Sequence, residues 1–132
     1  MRGPVPALVV MHADLAAALL RAAAQVYGPV EGVEVLSNEG RSREQLEGEI
    51  GRRVEHWKEG GLVLTDFWGG SCHLCGVAAT RGHGEVVIVT GLNLPTLLDY
   101  LHNRDQYGPL ELAERLRRKG RDSIRLHHAQ PV

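Results

Sequence analysis

Reactive side chains are concentrated in two short stretches of the sequence. His12 directly follows the apolar run VPALVVM, and the stretch TDFWGGSCHLCG supplies an aspartate, two adjacent glycines, a serine, a histidine and two cysteines. A histidine can accept a group and pass it on when the attacking ring nitrogen carries no proton. A carboxylate on the other ring nitrogen fixes that tautomer. Asp66, at the end of another apolar run, is the candidate for this carboxylate, so His12 and Asp66 are the predicted catalytic pair.

The segment Gly69 to Cys72 indicates an anion site beside this pair. Gly69 and Gly70 allow close approach of the backbone, and the N-terminus of a following helix presents free N–H groups and a positive dipole end. Ser71 adds a hydroxyl group, and Cys72 lies in the first turn of the predicted helix. Phosphoryl transfer depends mostly on positioning and charge stabilisation, so these groups suffice without a metal ion or an organic cofactor.

The two cysteines support a second hypothesis. Cys72 and Cys75 form a C-x-x-C pair at the start of a helix, a placement typical of dithiol oxidoreductases, in which the helix N-terminus lowers the pKa of the first thiol. With His73 and His12, the same cysteines are also a candidate zinc site. Both can equally be small apolar core residues. Ordinary structural roles also stay open for the first site: His12 as a hydrogen-bonded residue at a strand end, and Asp66 as a helix cap.

The surrounding pattern alternates strands and helices. Predicted strands are VPALVVM, VEGVEVLS, GGLVLTDF and EVVIVTG, each followed by a helical segment, and DSIRLHH is predicted as a short terminal strand on a sheet edge. Four successive strand–helix units predict an α/β fold with an open, mainly parallel sheet and helices on both faces. In such sheets ligands bind beyond the carboxyl ends of the strands, where the strand order reverses. His12 and Asp66 both lie at such ends.

Composition narrows the class of protein. The 132 residues fit one domain, 1–132, and the formal net charge of −1 predicts no nucleic-acid partner. No apolar run reaches the about 18 residues of a transmembrane segment, so we expect a cytoplasmic protein with no transmembrane segment. Two cysteines do not make a secreted disulfide framework.

Three segments carry a family resemblance that extends over nearly the whole chain. VVMHADLAAALLRAA, LVLTDFWGGSCHLC and VIVTGLNLPTLLDYLHNRD together resemble the mannose-family enzyme IIA domain of the bacterial phosphoenolpyruvate-dependent sugar phosphotransferase system. The D-x-W/F-G-G-S loop and the G-[VL]-N-[LI]-P segment are specific as a pair and in this order.

The resemblance implies a fold, a reaction and partners. It implies sheet order 2-1-3-4 with a C-terminal edge strand that is exchanged within a homodimer. It implies that His12 accepts a phosphoryl group from the carrier protein HPr and passes it to an enzyme IIB-type protein or domain in sugar uptake or its regulation. Asp66 would orient His12, Gly70 and Ser71 would bind the phosphoryl group, and Gly91 to Pro95 would lie beside the site.

The sequence departs from the family pattern at two places. Met11 to Ala13 reads M-H-A where the family usually has T-H-G, which removes a hydroxyl and adds a methyl group where the backbone is tight. Cys72, His73 and Leu74 replace the usual Pro-Phe-Asn. These changes keep two alternatives open: a redox- or metal-responsive module that uses Cys72 and Cys75, and a regulatory protein whose phosphorylation state is read by a partner.

Overall fold

The computed structural model describes residues 3–130. Its strands are β1 (Ala7–Met11), β2 (Val33–Ser37), β3 (Gly61–Thr65) and β4 (Val86–Thr90). Its helices are α1 (Leu15–Tyr27), α2 (Arg43–Val54), α3 (Ser71–Ala79), α4 (Leu94–Asn103) and α5 (Pro109–Ser123).

The four strands form one sheet in the order β2-β1-β3-β4, and each neighbouring pair is parallel. The predicted α/β class and strand order are therefore confirmed. The strands β1 and β3 occupy the centre, with Val10 of β1 opposite Thr65 of β3. All ten of their residues are buried, which explains why both read as continuous apolar runs. Their next residues, His12 and Asp66, emerge side by side at the carboxyl edge.

Helices cover both faces of the sheet. Alternate residues of β1 point to opposite faces, as the pleat of a strand requires. Val9 and Met11 join the core formed with α1, α4 and α5, whereas Leu8 and Val10 join the core formed with α2 and α3. The central strands are thus held from both sides, and they fix the position of the two residues that follow them.

The C-terminal segment differs from the predicted edge strand. Asp122 and Ser123 belong to α5, and residues 124–130 form neither helix nor strand in the single chain. Within the described chain β4 pairs only with β3, and no segment adds to its other edge. Ile124 and Leu126 are correspondingly exposed, at 82% and 95%. The helix extends further than expected because the Ser123 hydroxyl donates a hydrogen bond to the Gly120 carbonyl. The same hydroxyl accepts a hydrogen bond from the Asn93 side-chain amide.

Candidate active site

His12 and Asp66 meet directly at the carboxyl edge of the two central strands. The Asp66 Oδ2 atom lies 2.7 Å from His12 Nδ1 and accepts the His12 backbone N–H at 2.9 Å. The other carboxylate oxygen accepts the Phe67 backbone N–H at 3.1 Å. The sequence-predicted pair is therefore in contact, and both the ring and the backbone of His12 are held by one carboxylate.

The hydrogen bonds determine the protonation of the histidine ring. Burial raises the pKa of Asp66, but the bonds from the His12 backbone and ring outweigh it and hold the pKa of this carboxyl below its usual value. An ionised carboxylate only accepts hydrogen bonds, so Nδ1 of His12 carries the proton. When the ring carries only this one proton, the lone pair lies on Nε2.

Nε2 of His12 faces the start of α3. The Ser71 hydroxyl oxygen lies 3.2 Å from it, and the Phe67 ring stacks on the imidazole with a centroid separation of 5.2 Å and an interplanar angle of 29°. The His12 side chain is 36% exposed. The nitrogen that bears the lone pair is thus fixed in orientation and still reachable from solvent.

The first turn of α3 supplies free backbone donors next to this nitrogen. Gly70 is the N-cap and makes no side-chain cap, and the N–H groups of Ser71, Cys72 and His73 have no acceptor within residues 3–130. A helix N-terminus of this kind attracts anions. Ser71 and the amides of this turn therefore form a set of donors suited to a phosphoryl group.

The two predicted phosphate-binding glycines act through shape more than through donation. The Gly69 N–H donates to His73 Nδ1 at 2.9 Å, and Gly69 has a left-handed φ of 86°. A Cβ at Gly70 would lie 2.5 Å from the Phe67 ring. Gly70 is thus the residue that allows Phe67 to stack on His12, a role that the sequence did not reveal.

The two cysteines have raised pKa values and different neighbours. Burial, together with the nearby Asp66 charge, raises the pKa of Cys72 to about 11, and burial also raises the pKa of Cys75. The expected lowering of the first thiol's pKa by the helix N-terminus is therefore wrong, because desolvation dominates. Cys72 Sγ lies 3.7 Å from His12 Nδ1, whereas the Cys75 thiol donates to the Arg43 carbonyl at 3.6 Å. The two thiols thus contact different groups, and they form no disulfide bond with each other.

His73 does not join the cysteines either. Its Nδ1 accepts the Gly69 N–H, and its ring packs against Trp68 with centroids 4.5 Å apart. The predicted zinc set of Cys72, His73 and Cys75 is therefore not brought together.

The end of β2 holds the turn after His12. The Ser37 hydroxyl donates to the Ala13 carbonyl at 2.6 Å, and Asn38 Oδ1 accepts the Ala13 N–H at 3.0 Å. Ala13 has a φ of 53°, in the left-handed region that favours glycine. Ser37 and Asn38 were not predicted as site residues, although Ser37 ends β2 and Asn38 follows it, and β2 neighbours β1, which is a usable signal.

The segment Gly91 to Pro95 lies beside the site and starts the next helix. The Leu92 N–H donates to the Thr65 carbonyl at 3.1 Å, next to Asp66. The Asn93 side chain caps α4 by accepting the Thr96 N–H at 3.0 Å, so this motif residue is a structural cap.

Comparison with known proteins decides the family. The model of the EIIA-man family, described as the phosphotransferase-system (PTS) fructose IIA component, matches residues 7–116. The chain belongs to this family. The resemblance predicted from the three sequence segments is thereby confirmed, and the protein is a PTS IIA component.

Solved structures share the fold of this IIA component. A PTS component EIIA from Streptococcus agalactiae is 21% identical with a TM-score of 0.83, covering 91% of this chain and 95% of its own. A PTS IIA protein associated with the fucose utilization operon of Streptococcus pneumoniae is 24% identical, with a TM-score of 0.82 and 96% of each chain covered. The mannose/sorbose specific IIA subunit from Enterococcus faecalis is 16% identical with a TM-score of 0.83, covering 98% of this chain and 99% of its own.

No curated protein matches the chain. Within residues 3–130, none of the helices of the IIA component has the length and apolar character needed to cross a membrane.

Proposed function

We propose that this IIA component is a phosphocarrier that accepts a phosphoryl group on His12 Nε2 from an HPr-like protein. It then passes the group to an enzyme IIB-type protein or domain, in sugar uptake or its regulation. One observation carries the proposal: the ionised Asp66 occupies Nδ1 at 2.7 Å, which leaves the lone pair of Nε2 facing the donors of α3.

The transfer step follows from this geometry. The Nε2 lone pair attacks phosphorus, and the bond from phosphorus to the donor protein breaks as the P–Nε2 bond forms. The ring gains positive charge during the attack, and the Asp66 carboxylate stabilises it. The oxygens of the incoming group meet the Ser71 hydroxyl and the amides of the first turn of α3. No base is needed, because the attacking nitrogen has no proton to lose.

Exposed apolar side chains around His12 support docking of protein partners. Phe67 and Trp68 are 53% and 79% exposed, and Leu15 and Leu74 are also exposed nearby on α1 and α3. Aromatic side chains are enriched at protein–protein interfaces, where they supply buried contact area. A carrier protein that covers this rim would also exclude water from the phosphoryl group during transfer.

The test is phosphorylation by purified partners. The IIA component is incubated with enzyme I, HPr and phosphoenolpyruvate, and its intact mass is measured in neutral buffer. We expect a mass gain of one phosphate in the wild type and none in His12→Gln, which keeps a polar side chain of similar size. Phosphorylation of His12→Gln would contradict the proposal and make His73 the next candidate.

We further infer that the protein is a homodimer in which residues 124–130 of one copy add to β4 of the other. The open edge of β4 and α5 border a cavity of about 590 Å³, whose lining includes Val87, Val89 and Leu110. The segment that follows α5 places the exposed Ile124 and Leu126 two residues apart, the spacing of one face of a strand. An unpaired strand edge exposes backbone groups that can pair with other chains. Residues 124–130 of a second copy would cover the free edge of β4.

Light scattering tests the dimer. We expect a dimer for the wild type and a shift toward monomer for Leu126→Asp, because a charge would enter the apolar groove. Leu74→Asp is a matched control, since it places the same change on an exposed residue of α3. A monomer at high concentration with residues 124–130 protected from hydrogen exchange would exclude the exchanged arrangement.

A further inference from the structure

Three different metal-ligand atoms converge on the buried side of His12. One ligand atom each from His12, Asp66 and Cys72 lies within 4.8 Å of the others, the sole group of three or more such residues in the described part of the chain. The phosphocarrier reaction has no use for the Cys72 sulfur. The Cys72 sulfur is therefore a potential metal ligand whose position the proposed reaction does not explain.

We propose that His12 Nδ1, an Asp66 carboxylate oxygen and Cys72 Sγ bind a thiophilic divalent cation of the zinc class. Zinc binds sulfur at about 2.3 Å and nitrogen or oxygen at about 2.0–2.2 Å, so tetrahedral ligands are separated by roughly 3.3–3.7 Å. The Sγ–Nδ1 distance of 3.7 Å already fits this range. The Nδ1–Oδ2 distance of 2.7 Å must open by roughly 0.6 Å, since the cation replaces the shared proton.

The placement of Cys72 is a second observation in favour of the site. Its side chain is 0% exposed, yet its sulfur lies beside an ionised carboxylate and a ring nitrogen. Cys75, one turn further along α3, instead faces the Arg43 carbonyl. Only one cysteine of the pair can thus reach the cluster, and three protein ligands leave a fourth position for water.

Binding of the cation would block phosphoryl acceptance, a consequence that rests on the proposed function. When a metal ion occupies Nδ1 of a neutral imidazole, the ring proton must sit on Nε2. Nε2 then has no lone pair with which to attack phosphorus. The protons balance: Nδ1 loses one, Nε2 gains one, and the Cys72 thiol releases one to solvent. The cation is therefore an inhibitor of phosphorylation and not a cofactor.

Cobalt(II) is the probe for the site, because thiolate coordination gives it a charge-transfer absorption band. Metal-free wild type titrated with Co²⁺ should show this band with one equivalent bound, and Zn²⁺ should displace it. Cys72→Ser and Cys72→Ala should lack the band and bind at least about tenfold more weakly. Cys75→Ser is the matched control and should behave as the wild type. Absence of the band in the wild type, or its persistence in both Cys72 variants, would overturn the site.

The inhibitory effect is measured by phosphorylation with and without one equivalent of Zn²⁺, each protein's rate being divided by its own metal-free rate. Wild type and Cys75→Ser should lose at least about 90% of their rate at saturation, while the Cys72 variants keep most of theirs. Equal inhibition of all four proteins would place the effect on the donor proteins and overturn the inhibitory coupling. A metal-free wild type that is never phosphorylated would contradict the phosphocarrier function instead, and the cobalt titration would still decide the site.

Discussion

Two largely buried carboxylates in this molecule have different partners, and the partners limit what each carboxylate can do. Asp66 is 9% exposed and pairs with His12 at the carboxyl edge of the sheet. Asp99 is 7% exposed and pairs with Arg115, whose Nε and Nη2 atoms donate to its two oxygens at 2.9 and 3.1 Å. The first pair joins two strand ends, and the second clamps α4 to α5.

The difference between the pairs lies in what remains free on the partner. Arg115 keeps all its protons and offers no lone pair, so its pair with Asp99 can only hold helices together. His12 uses one nitrogen for Asp66 and leaves the other facing the donors of α3. Burial of a carboxylate is therefore no sign of chemistry by itself, whereas a partner whose second nitrogen can offer a lone pair is one.

The largest expected effect is on phosphoryl transfer in Asp66→Asn. The amide still reaches the ring but carries no charge to stabilise it and no longer enforces the Nδ1–H tautomer. We expect the transfer rate from HPr to drop by about 10²–10⁴-fold while the melting temperature barely moves. Rapid-quench phosphorylation and thermal unfolding are the measurements. A large stability loss with normal transfer would make Asp66 a structural cap.

Asp99→Asn is the mirror experiment and should act on stability. Losing the charge of a carboxylate held by two arginine donors should cost about 1–2 kcal/mol in the free energy of unfolding, a range lowered because Arg115 is partly exposed. The transfer rate should stay within about twofold of the wild type, since the pair lies on α4 and α5, away from the His12 edge. Denaturant unfolding gives the first quantity, and a slowed transfer in a stably folded variant would break the contrast.

Ala13→Gly tests backbone strain that we find at the first pair. Ala13 sits at a φ of 53°, where glycine pays no Cβ penalty. Glycine would remove the backbone strain at position 13, but it would also give the unfolded chain more conformational entropy, which lowers stability. Because the first effect is only slightly larger, we expect the free energy of unfolding to rise by up to about 1 kcal/mol. Ala22→Gly, in the interior of α1, is the control and should lose stability. A destabilised Ala13→Gly would mean that Ser37 and Asn38 set this turn without strain.

The smallest effect concerns the thiol next to Asp66. Burial and then the Asp66 charge raise the pKa of Cys72 to about 11, so its thiolate fraction grows as the pH rises toward that value. In Asp66→Asn the charge is gone, and alkylation of Cys72 at pH 8 should become faster, by less than about tenfold. Asp99→Asn should leave the rate unchanged. Mass spectrometry of peptides after timed alkylation distinguishes Cys72 from Cys75.

Position along the strands made the core of this site predictable from the sequence. His12 and Asp66 directly follow runs that are apolar on both faces, and the rule for parallel sheets brings such residues to one edge. Ser71 follows two glycines at a helix start, which is a local signal. The positions of these three residues depend only on the residues next to them in the sequence and on the order of the strands in the sheet.

Other parts of the site depend on packing that no local pattern encodes. Phe67 stacks on His12 only because Gly70 leaves room for its ring, and His73 turns to the Gly69 N–H and away from the cysteines. The C-terminal segment was predicted as a strand from its alternation, but a strand needs a neighbour, and one chain offers none beyond β4. Desolvation of Cys72 likewise follows from the depth of α3 in the core and not from the C-x-x-C spacing.

Asp66 holds Nδ1 of His12, and we propose that Nε2 is thereby left as the phosphoryl acceptor. The most direct measurement is NMR of the phosphorylated protein carrying ¹⁵N-labelled histidine, in which a one-bond coupling between ³¹P and ¹⁵N identifies the bonded nitrogen. We expect a single phosphohistidine with the coupling to Nε2 of His12, and none in His12→Gln. A coupling to Nδ1 of His12, or to a ring nitrogen of His73, would contradict it.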